Sequence, residues 1–472
     1  MVESEYWRRY AADYRRMEVA TIARWLEAGE SGAVMGLVGC GRSNLLNFIC
    51  HRPDALAPYL TRPDAHVLIM ADIYNLPSND LSSLYRTLLH AFSWNVERFQ
   101  DGALQQDILR LYQENSDKLD PFQPQMALFD LMRACEQRGL QIVLVVNRFD
   151  RFCAKATDHM ISSLRGLRDM FRGTLQFIAG MSQFLAYVDG PLSLGDVHDL
   201  LVTRLCWVGA LNDADAATMI QDHFPAGLPE ADKDQIGQLS GRYPSLLKAV
   251  CQWRQQVEAP GGNWVQALLA ERSVQFRLGR IWQGLTQEER LALMELQKLQ
   301  LELGRPGPAG TMAPPAARRH ARLENDSGEI LAGLAQRGLL APAGKHWQIA
   351  SELLVYYLVS TGSLTGGRLK LDPSSRILTA GRRKISDLTD MEFRILQYLF
   401  ANPQARLSST DIIENVWQSV TDIEYVDPNA LQVHIANIRR KIEPLPHQPK
   451  HIVTWRGNPG GYQFFPEGKP GK

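Results

Sequence analysis

Two groups of residues in this sequence have the types and spacing that binding chemistry requires. The first is the segment GLVGCGRSN, from Gly36 to Asn44. Glycines at 36, 39 and 41 let backbone N–H groups turn toward an anion, and the apolar helical pattern that follows adds the positive end of its dipole. Gly36, Gly41 and Ser43 fit the spacing GxxxxGK[ST], in which a lysine reaches the terminal phosphates of a nucleotide and the hydroxyl holds Mg2+. Arg42 stands at the lysine position. A guanidinium is longer and planar, and does not simply replace an ammonium wrapped inside such a loop. In VVNRFD, Asn147 occupies the place of a metal-binding aspartate, while Asp150 keeps the second acidic position. Ser182 ends the later apolar run TLQFIAGMS, where its hydroxyl can sense a terminal phosphate or cap the strand. Three readings stay open for the loop: ATP or ADP with Mg2+ held weakly and not turned over, an empty scaffold, and slow hydrolysis through Asp150. Cys40, inside the loop, fits a small tolerated residue better than a redox sensor.

The second group is Val433, His434, Asn437, Arg440 and Lys441, on one face of the helical pattern that starts at Asp427-Pro428. An amide can pair bidentately with adenine and a guanidinium with guanine, so Asn437 and Arg440 are the expected base readers. His434, Lys441 and Thr454 are the expected partners of the phosphate backbone around them, and Arg456 is a further expected DNA contact.

These residues need elements to hold them. Leu431, Ile435, Ile438 and Ile442 recur at helical spacing and turn the polar face outward. Two further helical patterns, LTDMEFRILQYL and LSSTDIIENVW, precede that helix, and the hairpin IVTWRGNPGGYQFF follows it. Upstream, RLKLDPSSRILTAGRRKISDLT alternates like a small leading sheet. In the first half, GAVMGLV, HVLIMADIY (66–74), the run after Gly139 and TLQFIAGMS (174–182) read as buried strands with helices between them. That order predicts a parallel α/β sheet with ligand at the carboxyl ends of the strands. Residues 5–28 read as an amphipathic helix, and TRLCWVGALNDADAATMI with QLSGRYPSLLKAVCQW as a small helical lid.

The C-terminal stretch resembles the winged-helix domain of response-regulator transcription factors of the OmpR/PhoB type. Leu388, Thr389, Glu392, Phe393, Leu396, Val416, Trp417, Val433, His434, Ile435, Arg439, Arg440, Lys441, Thr454, Arg456, Gly457, Gly461 and Tyr462 carry the likeness, over residues 368–466. It implies double-stranded DNA as partner, with the acidic loop SVTDIEYVD (419–427) where that family meets RNA polymerase. The wing, RGNPGGY, is two residues longer than the family's. Residues 1–260 resemble the STAND branch of the AAA+ P-loop ATPases, with Gly241, Pro244, Leu246 and Leu247 matching its GGxPxLL signature. Residues 270–360 look like the winged-helix module that follows in that family. The resemblance implies a nucleotide-controlled switch, and loss of both the lysine and the metal-binding aspartate argues against efficient hydrolysis.

The predicted architecture is therefore a P-loop core (1–205), a helical lid (206–267), a middle winged-helix module (268–360), a linker (361–367) and a winged helix-turn-helix domain (368–467). GRPGPAGTMAPPAARRH (304–320) is too rich in Gly, Pro and Ala to suggest a helix or strand, and STGSLTGG (360–367) reads as a flexible hinge. Lys plus Arg and Asp plus Glu both number 51, so no global charge announces nucleic acid or membrane. From Arg368 onward 15 basic residues face 11 acidic ones, a local surplus that suits phosphate. Six cysteines without metal spacing, and no apolar run of membrane-spanning length, suggest a cytoplasmic protein. The reading is a bacterial DNA-binding, transcription-regulating protein with a sensor or oligomerisation switch, acting as a homo-oligomer or within a larger complex. The rival is a non-hydrolysing, DNA-targeting scaffold subunit of a defence or other multi-protein assembly.

Overall fold

The computed structural model describes residues 6–182, 197–257, 263–303, 314–344, 346–362, 369–380, 383–417, 428–443, 449–455 and 460–469. Arg456, the 419–427 loop and most of the 361–367 segment lie outside them. Strands β1 (Gly32–Met35), β2 (His66–Met70), β3 (Gln141–Asn147), β4 (Leu175–Met181) and β5 (Leu205–Trp207) form one sheet in the order β2-β3-β4-β1-β5. Every pairing in it is parallel. The central strands are buried on both faces, which is why they read as unbroken apolar runs rather than alternating ones. Helices α1 (Arg16–Glu27), α2 (Arg42–His51), α3 (Leu81–Trp94), α4 (Gly102–Asn115), α5 (Phe122–Gln137), α6 (Phe149–Cys153) and α7 (Asp158–Met170) belong to the same part of the chain. Leu88, Phe92, Leu128, Leu131 and Leu164 share one core with Ile142, Leu144 and Phe177 of the sheet. Because β4 lies between β1 and β3, the carboxyl ends of all three open at one place.

Two expectations shift here. The expected helix over 5–28 is interrupted: residues 6–8 are helical, but 12–15 are turns, α1 begins at Arg16, and Arg15 takes a left-handed φ of 53°. Tertiary partners hold it there, beginning with its own N–H, which donates to Asp215 Oδ2 at 3.0 Å. The segment LCW, read with the lid, is instead the edge strand β5, paired to β1. Three residues are too few to show a period.

Helices α8 (His198–Val202), α9 (Asp213–His223), α10 (Glu230–Ser240), α11 (Pro244–Gln256), α12 (Trp264–Ala270) and α13 (Arg272–Gln283) follow. Gly241 ends α10 in the left-handed conformation and Pro244 opens α11, as SGRYPSLL suggests. The middle module is α14 (Gln287–Leu303), α15 (Pro314–Gln336) and the hairpin of β6 (Leu340–Ala343) with β7 (His346–Ile349). Here the Pro- and Ala-rich stretch corrects the expectation: helix α15 begins at Pro314. Prolines in a first turn give up donors that have no intrahelical partner, and Ala316 and Ala317 favour the helix. Helix α16 (Glu352–Gly362) continues into the segment expected to be a hinge.

The chain divides into two compact units, Met1–Leu353 and Leu354–Lys472. In the second, β8 (Leu369–Asp372), β9 (Ile377–Ala380) and β10 (Arg383–Ile385) make the leading antiparallel sheet. Then come α17 (Asp390–Ala401), β11 (Arg406–Ser408), α18 (Ser409–Trp417), α19 (Pro428–Ile442), β12 (Ile452–Trp455) and β13 (Gly461–Phe464). The last three strands pair in the order β11-β13-β12. Thr389 and Glu392 cap α17 reciprocally, and Ser408 and Asp411 do the same for α18, so both helices begin where their free N–H groups find oxygen. Leu431, Ile435, Ile438 and Ile442 are all buried in the core of this unit, together with Leu396, Ile412 and Phe464. Among the described residues no helix is long and apolar enough to cross a membrane.

Candidate functional site

Burial of the apolar stripe of α19 decides what its other face offers. Val433 is 59% exposed, an unusual position for a valine, and Arg440 is exposed beside it. Arg440 Nη1 donates to Asn437 Oδ1 at 2.7 Å, so the two expected base readers stand as one oriented pair. His434 is half-buried, its ring 5.8 Å from that of Trp417 on α18. Lys441 is not presented with them. Its Nζ donates to Glu392 Oε2 at 2.8 Å and to the Asp387 carbonyl at 2.5 Å, which ties α19 to the start of α17. One residue beyond Arg440 turns the helix by about 100°, carrying the side chain off the outward face. Burial works against ionisation of Glu392, but Lys441 and the Thr389 N–H outweigh it and hold the carboxyl below its usual range.

Thr454 is exposed on β12, and its hydroxyl accepts from Arg439 Nη2 at 2.7 Å. Arg439 also donates from Nε and Nη2 to the Ile452 carbonyl, at 3.0 and 2.8 Å, and its guanidinium stands 5.6 Å from the Tyr462 ring. Glu443, at the end of α19, accepts from the N–H groups of Lys450, His451 and Ile452 at 2.9, 2.7 and 2.8 Å. The helix and the hairpin thus form one piece, with Arg439 and Glu443 as its fasteners. The RRKIE run does not separate the fasteners from the outward residues, since all are charged.

In the first unit, Gly39 and Gly41 take φ of 89° and 88°, the left-handed region that favours glycine and that this loop needs to wrap. The loop is held from outside by α11 and the residue before it: Ser245 N–H donates to the Gly39 carbonyl at 3.0 Å, and the Tyr243 hydroxyl to that of Val38 at 3.2 Å. From beneath, the fully buried Arg15 donates to the carbonyls of Cys40 and Gly209 at 2.6 and 3.0 Å. Burial pushes the Cys40 thiol up from its ordinary value, so it is an inert packing residue rather than a nucleophile.

At the carboxyl ends of the strands, Arg42, Ser43, Asn147, Asp150 and Ser182 do converge. Asn147 Nδ2 donates to Ser43 Oγ at 2.9 Å, while Arg42 reaches Asn147 Oδ1 at 3.5 Å and the Gly36 carbonyl at 3.4 Å. Asp150 Oδ2 accepts from the N–H and hydroxyl of Ser182, and its Oδ1 is buried without a partner. Before them opens a cavity of about 380 Å³, bordered by the loop, Ser43, Asn44 and Ser182. Its cationic lining is Arg42, Arg148, Arg151, Lys248 and Arg280, and no carboxylate is among the lining residues. Such a lining fits phosphate. It offers no carboxylate to Mg2+, a hard cation that seeks oxygen ligands. Arg148 and Arg151 sit next to residues that the strand-end motif picks out; Lys248 and Arg280 had no local signal, since the fold brings them in from α11 and α13.

Residues 383–464 match the family described as "Transcriptional regulatory protein, C terminal". Similar proteins include the probable transcriptional regulator ycf27 of Galdieria sulphuraria, 36% identical over 105 residues, covering 22% of this chain and 40% of that protein. The response regulator MprA of Mycobacterium avium is 40% identical over 96 residues, covering 20% of this chain and 40% of its own length. The chain thus spans about 40% of the length of these curated relatives. Among solved structures, a Walker-type ATPase of Pyrococcus abyssi aligns at TM-score 0.42 and 15% identity, covering 73% of this chain and 95% of that one. The ORC2 protein of Aeropyrum pernix aligns at TM-score 0.35 and 13% identity, covering 74% and 94%. The assignment of the first unit to the P-loop class rests on its own strand pairing and loop geometry. The second unit carries a C-terminal domain of the transcriptional regulatory protein family, joined in one chain to a parallel-sheet, P-loop-type unit.

Proposed function

We propose that this protein binds double-stranded DNA site-specifically through α19 and the β12–β13 hairpin, and so regulates transcription. The observation that carries this is the outward face of α19, where an exposed Val433 adjoins the Arg440–Asn437 pair while the opposite stripe is buried. Val433 offers an apolar contact to a thymine methyl and Arg440 a bidentate contact to guanine. His434 and Thr454 flank that face as phosphate contacts, with Arg439 orienting Thr454, and Arg456, outside the described residues, is a further DNA contact in this proposal. Lys441 serves the face indirectly, by fastening α19. Removing a base-reading arginine typically costs about 1–3 kcal/mol and relaxes one position of the site. Arg440→Ala, measured by fluorescence anisotropy on a site selected from random DNA, is expected to bind about 5–150 times more weakly and less selectively. Unchanged affinity and selectivity would show that another face of the protein reads DNA.

The first unit acts in this proposal as a sensor or oligomerisation switch that takes the phosphates of ATP or ADP in the cationic cavity, weakly and without turnover. A single module makes few contacts, so a second copy or a larger protein partner brings paired half-sites within reach. RNA polymerase would meet the 419–427 loop, and the cytoplasm is the compartment where these partners occur. Nucleotide binding by calorimetry is expected to be unaffected by EDTA, and Lys248→Ala or Arg280→Ala to weaken it several-fold. Multiple-turnover hydrolysis that Asp150→Ala abolishes would overturn this reading. A second reading, a DNA-targeting scaffold with an inert loop, is favoured by the Asn147–Ser43 bond, which pairs these two groups without a ligand. The nucleotide content of the purified protein separates the two.

A further inference from the structure

The middle module holds three side chains that neither the loop nor the DNA-reading face uses. His320 and Glu324 lie one turn apart on α15, and His346 opens β7 of the adjoining hairpin. One ligand atom from each lies within 4.8 Å of the others. His320 is 98% buried, yet its Nδ1 has no hydrogen-bond partner. Its Nε2 lies 3.3 Å from the Trp347 carbonyl, an atom that can only accept, so a neutral ring carries its proton on Nε2. That leaves Nδ1 as a bare lone pair 3.5 Å from Glu324 Oε1, two electron-rich atoms facing each other in a buried place. The same Oε1 is 3.2 Å from His346 Nδ1, and the two imidazole rings stand 4.3 Å apart.

We propose that His320, Glu324 and His346 form a binding site for a divalent transition-metal ion, with Zn2+ best suited to the donors. Two imidazole nitrogens and one carboxylate oxygen are a zinc donor set, with a fourth position for water. Bond lengths of about 2.0–2.2 Å to a tetrahedral ion put neighbouring donors about 3.3–3.6 Å apart, and the separations of 3.5 and 3.2 Å from Glu324 are within about 0.1 Å of that range. The Nε2–H bond to a backbone carbonyl is the outer contact that fixes the tautomer and aim of a metal-bound histidine. A bound ion relieves the facing lone pairs and staples α15 to the β6–β7 hairpin. Ion binding is then coupled to the stability of the module.

The test uses the full chain, stripped with EDTA and dialysed, then titrated with Zn2+ by calorimetry and with Co2+ by visible absorption. His346→Ala and Glu324→Gln are the variants, because both positions are partly exposed and tolerate replacement better than buried His320. The expected result is one Zn2+ per chain in the parent, at least tenfold weaker binding in each variant, and a thermal midpoint raised by Zn2+ in the parent alone. A Co2+ spectrum of tetrahedral intensity should appear in the parent and fade in the variants. Equal uptake by parent and variants would place the ion elsewhere. Absence of stoichiometric uptake by the parent would make the trio a hydrogen-bonded cluster with a protonated His320. Either outcome overturns the proposal. If one variant fails to fold, as judged by circular dichroism, the other decides.

Discussion

Glu443→Ala is expected to destabilise the second unit by about 2–6 kcal/mol and to abolish specific DNA binding with it. The Glu443 carboxylate accepts from three backbone N–H groups at the start of the hairpin. Lys450 is exposed and its N–H can turn to water, but His451 and Ile452 are buried. Two orphaned donors at about 1–3 kcal/mol each set the range, and a small unit has about 5–15 kcal/mol to lose. The loss reaches function because Ile452 and Thr454, which hold Arg439 and so the end of α19, are on the same strand. Glu443→Gln keeps an oxygen for the two buried donors and should cost far less. The measurement is urea unfolding of the full chain, with hydrogen exchange at 450–452 to localise the effect. An Ala variant as stable as the parent would show that water replaces the carboxylate without penalty.

In the first unit, the largest expected loss is from Glu289→Ala. Glu289 on α14 and Arg337 after α15 form a bidentate pair, with side chains only 5% and 9% exposed. Removing the acid strands a buried guanidinium, at a cost of about 3–5 kcal/mol. Glu289 also accepts from the Thr286 N–H at 2.9 Å, so the start of α14 loses its reciprocal cap, worth about 1 kcal/mol. Arg337 lies 5.1 Å over the Trp207 ring, and the pair therefore joins the middle module to edge strand β5. The double variant Glu289→Leu/Arg337→Met should recover most of the loss but not the cap, because a buried pair replaced by apolar side chains is often neutral or better. Tryptophan fluorescence during denaturant unfolding reads both. A double variant as unstable as the single one would mean that packing, not the stranded charge, sets the cost.

Local patterns went a long way in the second unit. The stripe at 431, 435, 438 and 442, the opening Pro428 and the alternation in the leading sheet each depend on neighbours within one or two turns, and each formed as its residues suggest. The parallel sheet was nearly as legible, because strands buried on both faces leave long apolar runs. Where the local signal was short or misleading, the reading failed. LCW is three residues long and is a strand only because β1 offers it a row of backbone partners. The prolines and alanines at 314–317 resemble a loop by composition, yet suit a helix's first turn by position.

The sites divide along the same line. Sequence alone determined the residue types of the loop, the changes at Arg42 and Asn147, and the buried stripe of α19, since motif spacing and helical period are properties of adjacent residues. Only the tertiary structure decided which charges point where. Lys441 belongs to Glu392, 49 residues away, and Arg439 to the hairpin, while Arg440 beside them faces outward. The cationic cavity likewise draws Lys248 and Arg280 from helices more than 200 residues beyond the loop. A long charged side chain takes whichever partner folding brings within reach, and partners brought by other elements leave no mark on its neighbours in the chain.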